Sequence, residues 1–228
     1  MCGIVAVAAK KNIISVLSDG LKHLEYRGYD SAGIAIIQNE NIDIFKKEGN
    51  VSELTNSLDK KLSSNIGIAH TRWATHGKPS QINAHPHISE KNIAIVHNGI
   101  FEIYSELRKK FFNGSSFSSE TDSEVLAHLI NYYMKDNELL DAVYMAVKEV
   151  KGSYAIAVLN KKEPNNLVVA RNGSPLIIGL GEKINYVASD IQALIQHTNK
   201  FVYLEDGDIA TLSSDEVKTV SYTHLRAH

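Results

Sequence analysis

The chain has 228 residues and a formal net charge of -2, with 43% hydrophobic and 22% charged residues. This length is enough to bury a substantial core, which excludes a peptide or a disulfide-stapled mini-protein. The charge balance is near neutral and no run of Lys or Arg occurs. This argues against nucleic acid or an anionic membrane as the main partner, because both require clustered positive charge. We therefore expect a small-molecule partner.

The hydrophobic pattern predicts strands and helices in turn through the first half of the chain. Residues 3–9 are continuously apolar, as in a strand buried on both faces, and residues 13–24 then have apolar positions at helical spacing. The opening apolar run is too short to span a bilayer and has no Lys or Arg before it, which argues against a membrane helix or a secretory signal. Further along, the pattern predicts strands at 31–37 and 42–46, a helix over 51–62, and strands at 66–71 and 92–98.

The second half is predicted to contain two helices followed by many strands. Thr121 and Glu124 match a capping box and predict that a helix begins there, and a second helix is expected over 139–150. Six strands are expected from residue 153 onward, at 153–159, 167–171, 176–180, 186–189, 201–205 and 208–212. No linker divides the chain, so we expect one domain over residues 1–220, with stacked sheets covered by helices. Residues 221–228 continue no pattern and are assigned to a tail or linker stub without function.

Cys2 is the only cysteine, so neither an intrachain disulfide nor a thiolate zinc cage can form, and a reducing cytoplasmic location is expected. A lone cysteine is usually a small core residue. The position of Cys2 favours another interpretation. Removal of Met1 would give Cys2 both a thiol and an α-amino group with a pKa of roughly 7.7 to 8.0, able to accept the thiol proton. One residue could then act as nucleophile and base.

Several motifs make this interpretation specific. The chain opens with MCGIV at residues 1–5 and continues with EYRGYDSAG at 25–33. These two motifs resemble the opening of the class II glutamine amidotransferases. Further motifs follow in the order found in the family, namely HTRWATHG at 70–77, NAHPH at 83–87, HNG at 97–99, SETD at 119–122, RNGSPL at 171–176 and ASD at 188–190. With them the chain most closely resembles the glutaminase half of the members that form hexosamine phosphates.

The resemblance implies the fold and the catalytic residues. The family fold is α+β, a four-layer α/β/β/α sandwich of the N-terminal-nucleophile hydrolase type, which agrees with the pattern of strands and helices. By resemblance Cys2 is the nucleophile, and Arg27 and Gly28 lie beside it. The side-chain amide of Asn98 and the N–H of Gly99 form the oxyanion hole. By sequence alone, an Asn-Gly dipeptide more often marks a turn between strands, and Arg27 could be an exposed loop charge.

The resemblance also implies how L-glutamine is bound. Free glutamine carries an α-carboxylate and an α-ammonium group, which Arg72 and Asp122 can pair with. Other interpretations are a surface charge for Arg72 and a helix-start acid for Asp122. Trp73, Thr75 and His76 are expected in a loop that folds over the substrate, although the only tryptophan could also be a core residue.

No cofactor and no metal are expected. The sequence has ten histidines, with five between residues 70 and 97, but their spacing does not resemble a metal site. The resemblance implies that a sugar-phosphate isomerase domain follows downstream and receives the ammonia. Two alternatives are the glutaminase domain of another class II amidotransferase, such as amidophosphoribosyltransferase, asparagine synthetase or glutamate synthase, and a non-catalytic glutamine sensor. The intact Cys2 argues against the sensor.

Overall fold

The protein is described here by a computed structural model that covers residues 2–74, 77–113 and 116–221. Within these ranges the chain forms five α-helices and thirteen strands. The helices are α1 (Ile14–Leu24), α2 (Val51–Ser57), α3 (Tyr104–Phe112), α4 (Asp122–Tyr133) and α5 (Leu139–Glu149). The strands are β1 (Gly3–Ala9), β2 (Ser31–Gln38), β3 (Asn41–Glu48), β4 (Ile66–Arg72), β5 (His87–Ser89), β6 (Ile93–Phe101), β7 (Gly152–Asn160), β8 (Leu167–Asn172), β9 (Ile177–Gly181), β10 (Ile184–Ala188), β11 (Phe201–Tyr203), β12 (Asp208–Leu212) and β13 (Val217–Ser221).

The strands form two antiparallel sheets. The seven-stranded sheet has the order β11-β9-β10-β1-β4-β2-β3, and the six-stranded sheet has the order β13-β12-β8-β7-β6-β5. In the first sheet β1 lies at the centre, where Val5 is opposite both Ala188 of β10 and Ala69 of β4. Cys2 directly precedes this central strand, which pairs with a neighbour on each side.

The two sheets stack face to face between helical layers. Along β1, Ile4 and Ala6 face the core between the sheets, whereas Val5 and Val7 pack beneath α1. Helices α3, α4 and α5 cover the outer face of the six-stranded sheet. This is the four-layer α/β/β/α arrangement expected from the sequence. In the part of the chain that the structure describes, no helix is long and apolar enough to cross a membrane.

Some elements differ from the prediction for clear physical reasons. The helix expected over 51–62 ends at Ser57, because Leu58 has an extended backbone, and Leu58 and Leu62 still pack against the same core from the following turns. Helix α3 was not predicted; Leu107 is its only buried residue, and Tyr104 and Phe111 pack partly buried against the same core. The short edge strands β5 and β13 also went unpredicted.

Helix α4 begins where the capping box predicts, but the prediction of the capping hydrogen bonds is wrong. Thr121 is the N-cap of α4 but makes no capping hydrogen bond. Its hydroxyl instead lies 3.0 Å from His87 Nε2. The Glu124 carboxylate reaches past the cap residue and accepts hydrogen bonds from the backbone N–H groups of Ser118, at 2.7 Å, and Ser119, at 2.6 Å. Glu124 therefore stabilises the backbone of the segment that precedes α4, where a capping box would bind only the N-cap residue.

These hydrogen bonds make the stability of the protein depend on pH. Burial raises the pKa of the Glu124 carboxyl, but the His128 ring, whose Nε2 lies 3.6 Å away, and hydrogen bonds from Ser119 and Ser118 outweigh burial and lower it to about 2. A pKa lowered in the folded state stabilises that state above the unfolded pKa, by on the order of 3 kcal/mol here, and this contribution is lost as the pH falls from about 5 toward 2.

We therefore expect Glu124→Gln to lower the free energy of unfolding at pH 7, and to lower it less at pH 3. Urea unfolding of both proteins across this pH range measures the difference. Lys110, whose ammonium pairs with Glu149 at an exposed site, provides a matched control in Lys110→Gln, for which an effect below about 1 kcal/mol is expected. A Glu124→Gln deficit that does not change with pH would contradict this account.

Candidate active site

Cys2 is held by contacts from three separate parts of the chain. Its Sγ accepts a hydrogen bond from the backbone N–H of Trp73 at 3.3 Å, and the thiol lies 3.6 Å from the Trp73 carbonyl oxygen. Its own carbonyl oxygen accepts hydrogen bonds from Arg27 Nε and Asn98 Nδ2, each at 3.1 Å. Both backbone and sulfur are thus fixed before any substrate arrives.

The surroundings of Cys2 keep its thiol protonated. Burial raises the pKa of the Cys2 thiol, and the hydrogen bond from Trp73 and the charge of Arg72 offset this only in part. A thiol whose pKa is raised carries its proton at neutral pH. Because the thiolate is the reactive form, a nearby base would accelerate a nucleophilic reaction at Cys2.

Arg27 is buried and paired rather than an exposed loop charge. Its guanidinium donates to Asp190 Oδ2 at 2.9 Å, and the hydroxyl of Tyr26 donates to the same oxygen at 2.7 Å. Asp190 therefore holds the arginine that in turn holds the Cys2 carbonyl. Sequence reasoning gave Asp190 no role, although the ASD motif at 188–190 contained it.

Gly28 allows two segments of backbone to meet beside Cys2. A Cβ at this position would lie 2.6 Å from the carbonyl carbon of Arg72 and 2.9 Å from the nitrogen of Trp73. Any larger residue would displace the backbone that donates to the Cys2 sulfur.

The Trp73 side chain is 48% exposed and contacts Tyr29 edge to face, so it is not a core residue.

Asn98 and Gly99 lie inside β6 rather than in a turn, and they pair with Ala155 and Tyr154 of β7. Gly99 has a φ of +133°, and a Cβ there would collide with the carbonyl oxygen of Ser153. Only glycine adopts this conformation without strain. The side-chain oxygen of Asn98 lies 3.0 Å from His70 Nε2, a contact that sequence reasoning missed.

Arg72 ends β4 and is buried, with 4% of its surface exposed, so the surface-charge interpretation is wrong. Its guanidinium donates to the carbonyl oxygens of Gly77, at 3.2 Å, and Lys78, at 3.4 Å. The segment that follows β4 is also hydrogen-bonded to the residues that precede α4. Asn83 Nδ2 donates to Glu120 Oε2 at 3.1 Å, and Glu120 N donates back to Asn83 Oδ1 at 3.0 Å.

Asp122 is the first residue of α4 and is also buried. Its Oδ2 accepts a hydrogen bond from the Phe101 N–H at 2.9 Å, and its Oδ1 accepts one from the Ser123 hydroxyl at 3.3 Å. A carboxylate has about four acceptor positions, so these two bonds leave capacity for a further donor. The helix-start position expected for this residue is confirmed, but the carboxylate faces the protein interior.

Five of the predicted residues line one small cavity of about 30 Å³, namely Cys2, Arg72, Trp73, Gly99 and Asp122. Arg27 and Asn98 instead contact the Cys2 carbonyl oxygen, and Gly28 lies against the backbone of Arg72 and Trp73. The sequence-predicted residues Thr75 and His76 lie outside the described residues. The cavity is lined by Cys2, Arg72, Trp73, His85, His97, Gly99, Thr121, Asp122 and Ser123.

The clustered histidines form a buried stack of rings. The His70 and His85 rings are stacked, with their centroids 4.1 Å apart. The His87 ring contacts His85 edge to face, with a centroid distance of 4.6 Å. Burial lowers the pKa of each of these imidazoles well below its ordinary value, so all three are neutral at pH 7. Within the described ranges, no group of three His, Cys, Asp or Glu side chains is placed to hold a metal ion.

Comparison with solved structures defines the class of protein. The glutamine phosphoribosylpyrophosphate amidotransferase from B. subtilis superposes with a TM-score of 0.82 and 26% identity, over 96% of this chain and 49% of that one. A glutamine aminotransferase class-II domain protein from Silicibacter pomeroyi shares the fold, with a TM-score of 0.64 and 14% identity over 97% of this chain and 99% of its own. The chain thus has the N-terminal-nucleophile fold of the amidotransferases.

Sequence comparison then defines the family. The family model described as a glutamine amidotransferase domain matches residues 70–196, more than half of the chain. The chain belongs to this family, as its motifs predict.

Curated relatives cover the chain almost completely but are much longer. Glutamine–fructose-6-phosphate aminotransferase [isomerizing] from Pseudomonas putida is 51% identical over 95% of this chain and 36% of its own length. The protein of the same name from Bacteroides thetaiotaomicron is 47% identical over 99% of this chain and 38% of its own. The chain therefore spans little more than a third of the length of these relatives.

Proposed function

We propose that the chain is the glutaminase domain of a glutamine–fructose-6-phosphate aminotransferase. It hydrolyses L-glutamine to glutamate and ammonia, and in the full-length enzyme the ammonia is transferred to fructose 6-phosphate in a downstream sugar-phosphate isomerase domain. The observation that carries the proposal is the convergence of Cys2, Gly99, Arg72 and Asp122 on one cavity. The names of the long relatives support the choice among class II amidotransferases.

In the proposed reaction Cys2 is the nucleophile and its own α-amino group is the base. Removal of Met1 frees this amine, which takes the thiol proton as sulfur attacks the side-chain amide carbon of glutamine. A thiol is protonated at neutral pH, and burial, which raises the pKa of Cys2 further, makes a base more important. Ammonia leaves with that proton, and water then hydrolyses the γ-glutamyl thioester to release glutamate.

The remaining site residues stabilise the oxyanion and orient the substrate. Asn98 Nδ2 and the Gly99 N–H donate to the oxygen that becomes negative during attack. Arg72 pairs with the α-carboxylate of glutamine and Asp122 with its α-ammonium. Trp73 is assigned to the contacts that cover the substrate, and Arg27 and Gly28 hold Cys2 in place. The same substrate-binding role is proposed from the sequence for Thr75 and His76, which lie outside the described residues.

We assign residues 1–220 to this domain and 221–228 to a tail or linker. The pairing of Val217–Ser221 with Asp208–Leu212 supports a domain that extends to about this point. The single thiol must remain reduced to act, which favours a cytoplasmic location. No cofactor enters the proposed reaction.

Incubation of the chain with glutamine and fructose 6-phosphate tests the proposal. We expect glutamate and ammonia in equal amounts and no glucosamine 6-phosphate, because the sugar site is assigned to the downstream domain. Mass spectrometry of the products, with asparagine as the control substrate, measures this outcome. Glutamine binding without turnover would favour a sensor, and formation of the amino sugar would show that the sugar site is misplaced.

A further inference from the structure

His70 makes a polar contact between the two sheets at the point where they approach Cys2. It lies on β4 of the seven-stranded sheet and is fully buried. Its Nε2 lies 3.0 Å from Asn98 Oδ1 and 3.1 Å from the carbonyl oxygen of His97, both on β6 of the six-stranded sheet. The proposed reaction gives this side chain no part.

The contacts of His70 determine which ring nitrogen carries the hydrogen. Both atoms that face Nε2 are acceptors, so Nε2 must be the donor. Burial lowers the pKa of the imidazole to about 3, so the ring is neutral and its other nitrogen is unprotonated at pH 7. That nitrogen, Nδ1, has no hydrogen-bond partner among the described residues. His70 is therefore a fixed donor whose single Nε2–H is shared between Asn98 Oδ1 and the carbonyl oxygen of His97.

This donor distinguishes between the two orientations of the Asn98 amide. In the observed orientation the oxygen accepts from His70, and Nδ2 donates to the Cys2 carbonyl oxygen at 3.1 Å. Rotation of the amide by half a turn would place Nδ2 against the N–H of His70 and Oδ1 against the Cys2 carbonyl. Two hydrogen bonds would become a donor–donor and an acceptor–acceptor contact in a buried site.

We propose that His70 is a positioning residue that fixes the Asn98 side chain with its N–H groups toward Cys2. The proposal deepens the proposed function, because it matters for catalysis only if Asn98 donates to the oxyanion. His70 itself does not touch the substrate. Its effect is to hold the donor ready, so that no reorientation is needed as the oxyanion forms.

Two substitutions distinguish the effect of the His70 N–H donor from the effect of the space that the side chain fills. His70→Leu removes the donor, and we expect kcat for glutamine to fall at least about tenfold while KM stays within about threefold. His70→Gln keeps a side-chain N–H at a similar distance, and we expect kcat within about threefold of the unsubstituted chain. Equal losses in both variants would overturn the proposal, since a role in packing alone would not depend on the donor.

A double-mutant cycle tests whether His70 acts through Asn98. In the Asn98→Ala background we expect His70→Leu to cause no further fall in kcat, because the side chain that it orients is gone. Multiplicative effects would overturn the proposal. Alkylation of Cys2 by iodoacetamide forms no oxyanion, so its rate should be the same with and without His70→Leu. A matching fall in alkylation would assign His70 a general structural role instead.

The glutaminase activity of the unsubstituted chain, measured first, keeps this test separate from that of the proposed function. If the chain does not hydrolyse glutamine, the proposed function fails and nitrogen-15 NMR of labelled histidine still tests the contact. We expect the signal lost in His70→Gln to belong to a neutral ring protonated on Nε2 at pH 7. A ring protonated on Nδ1, or on both nitrogens, would overturn the proposal.

Discussion

Cys2→Ala is expected to lower the rate of ammonia release from glutamine by at least about 10³-fold, because it removes the group that attacks the amide. The fold should survive, since Cys2 precedes β1 and its carbonyl contacts with Arg27 and Asn98 do not involve the sulfur. A glutamate-detection assay measures the loss, and urea unfolding of the same samples checks the fold.

Cys2→Ser provides the matched control. Its hydroxyl keeps the size and a hydrogen-bonding group, but it is a weaker nucleophile than a thiolate at neutral pH. We expect it to be folded, to bind glutamine and to be severely impaired in turnover. Activity of Cys2→Ala near that of the unsubstituted chain would contradict the mechanism.

Asn98→Ala is expected to lower kcat by about 10²- to 10³-fold with little change in KM, because its amide donates most strongly to the charged oxyanion. Steady-state kinetics with glutamine separates the two parameters. Asn98→Asp, which keeps the shape and loses the donor, should be impaired to a similar degree.

Arg72→Ala is the contrasting variant. In the proposed site its contacts to the α-carboxylate persist from the bound substrate to the transition state, so we expect its loss mainly to raise KM. Asp122→Ala should do the same through the α-ammonium. An Asn98→Ala variant that changed only KM would contradict the oxyanion role.

Much of the fold could be predicted from local patterns. Strand β1 was recognisable because both of its faces are buried and the whole run is apolar, and α1 because it packs one apolar stripe beneath the sheet. Helix α3 was not predicted, although Tyr104, Leu107 and Phe111 recur at helical spacing and pack against the core beneath the six-stranded sheet. This apolar stripe is short, and only Leu107 of it is buried.

The candidate site was predicted where contiguous motifs carry it and missed where it depends on contacts between distant strands. The motifs predicted site roles for Cys2 and Gly99, and both residues line the same cavity in the structure. The partners that hold the site are distant in sequence. Arg27 and Asp190 are 163 residues apart, and no periodic pattern in one sequence records their contact. The spacing of Thr121 and Glu124 correctly predicted the helix start but not the hydrogen-bond partners of Glu124. The segment before α4 places the N–H groups of Ser118 and Ser119 against this carboxylate.

Mass spectrometry of the N-terminal peptide tests the central claim most directly. The chain is first incubated with a glutamine analogue that carries an electrophilic side chain, and then digested. The mechanism predicts a peptide that begins at Cys2, without Met1, and carries the analogue on the cysteine sulfur, with adduct formation prevented by excess glutamine. A peptide that retains Met1, or an adduct at another residue, would contradict the assignment of Cys2 as both nucleophile and base.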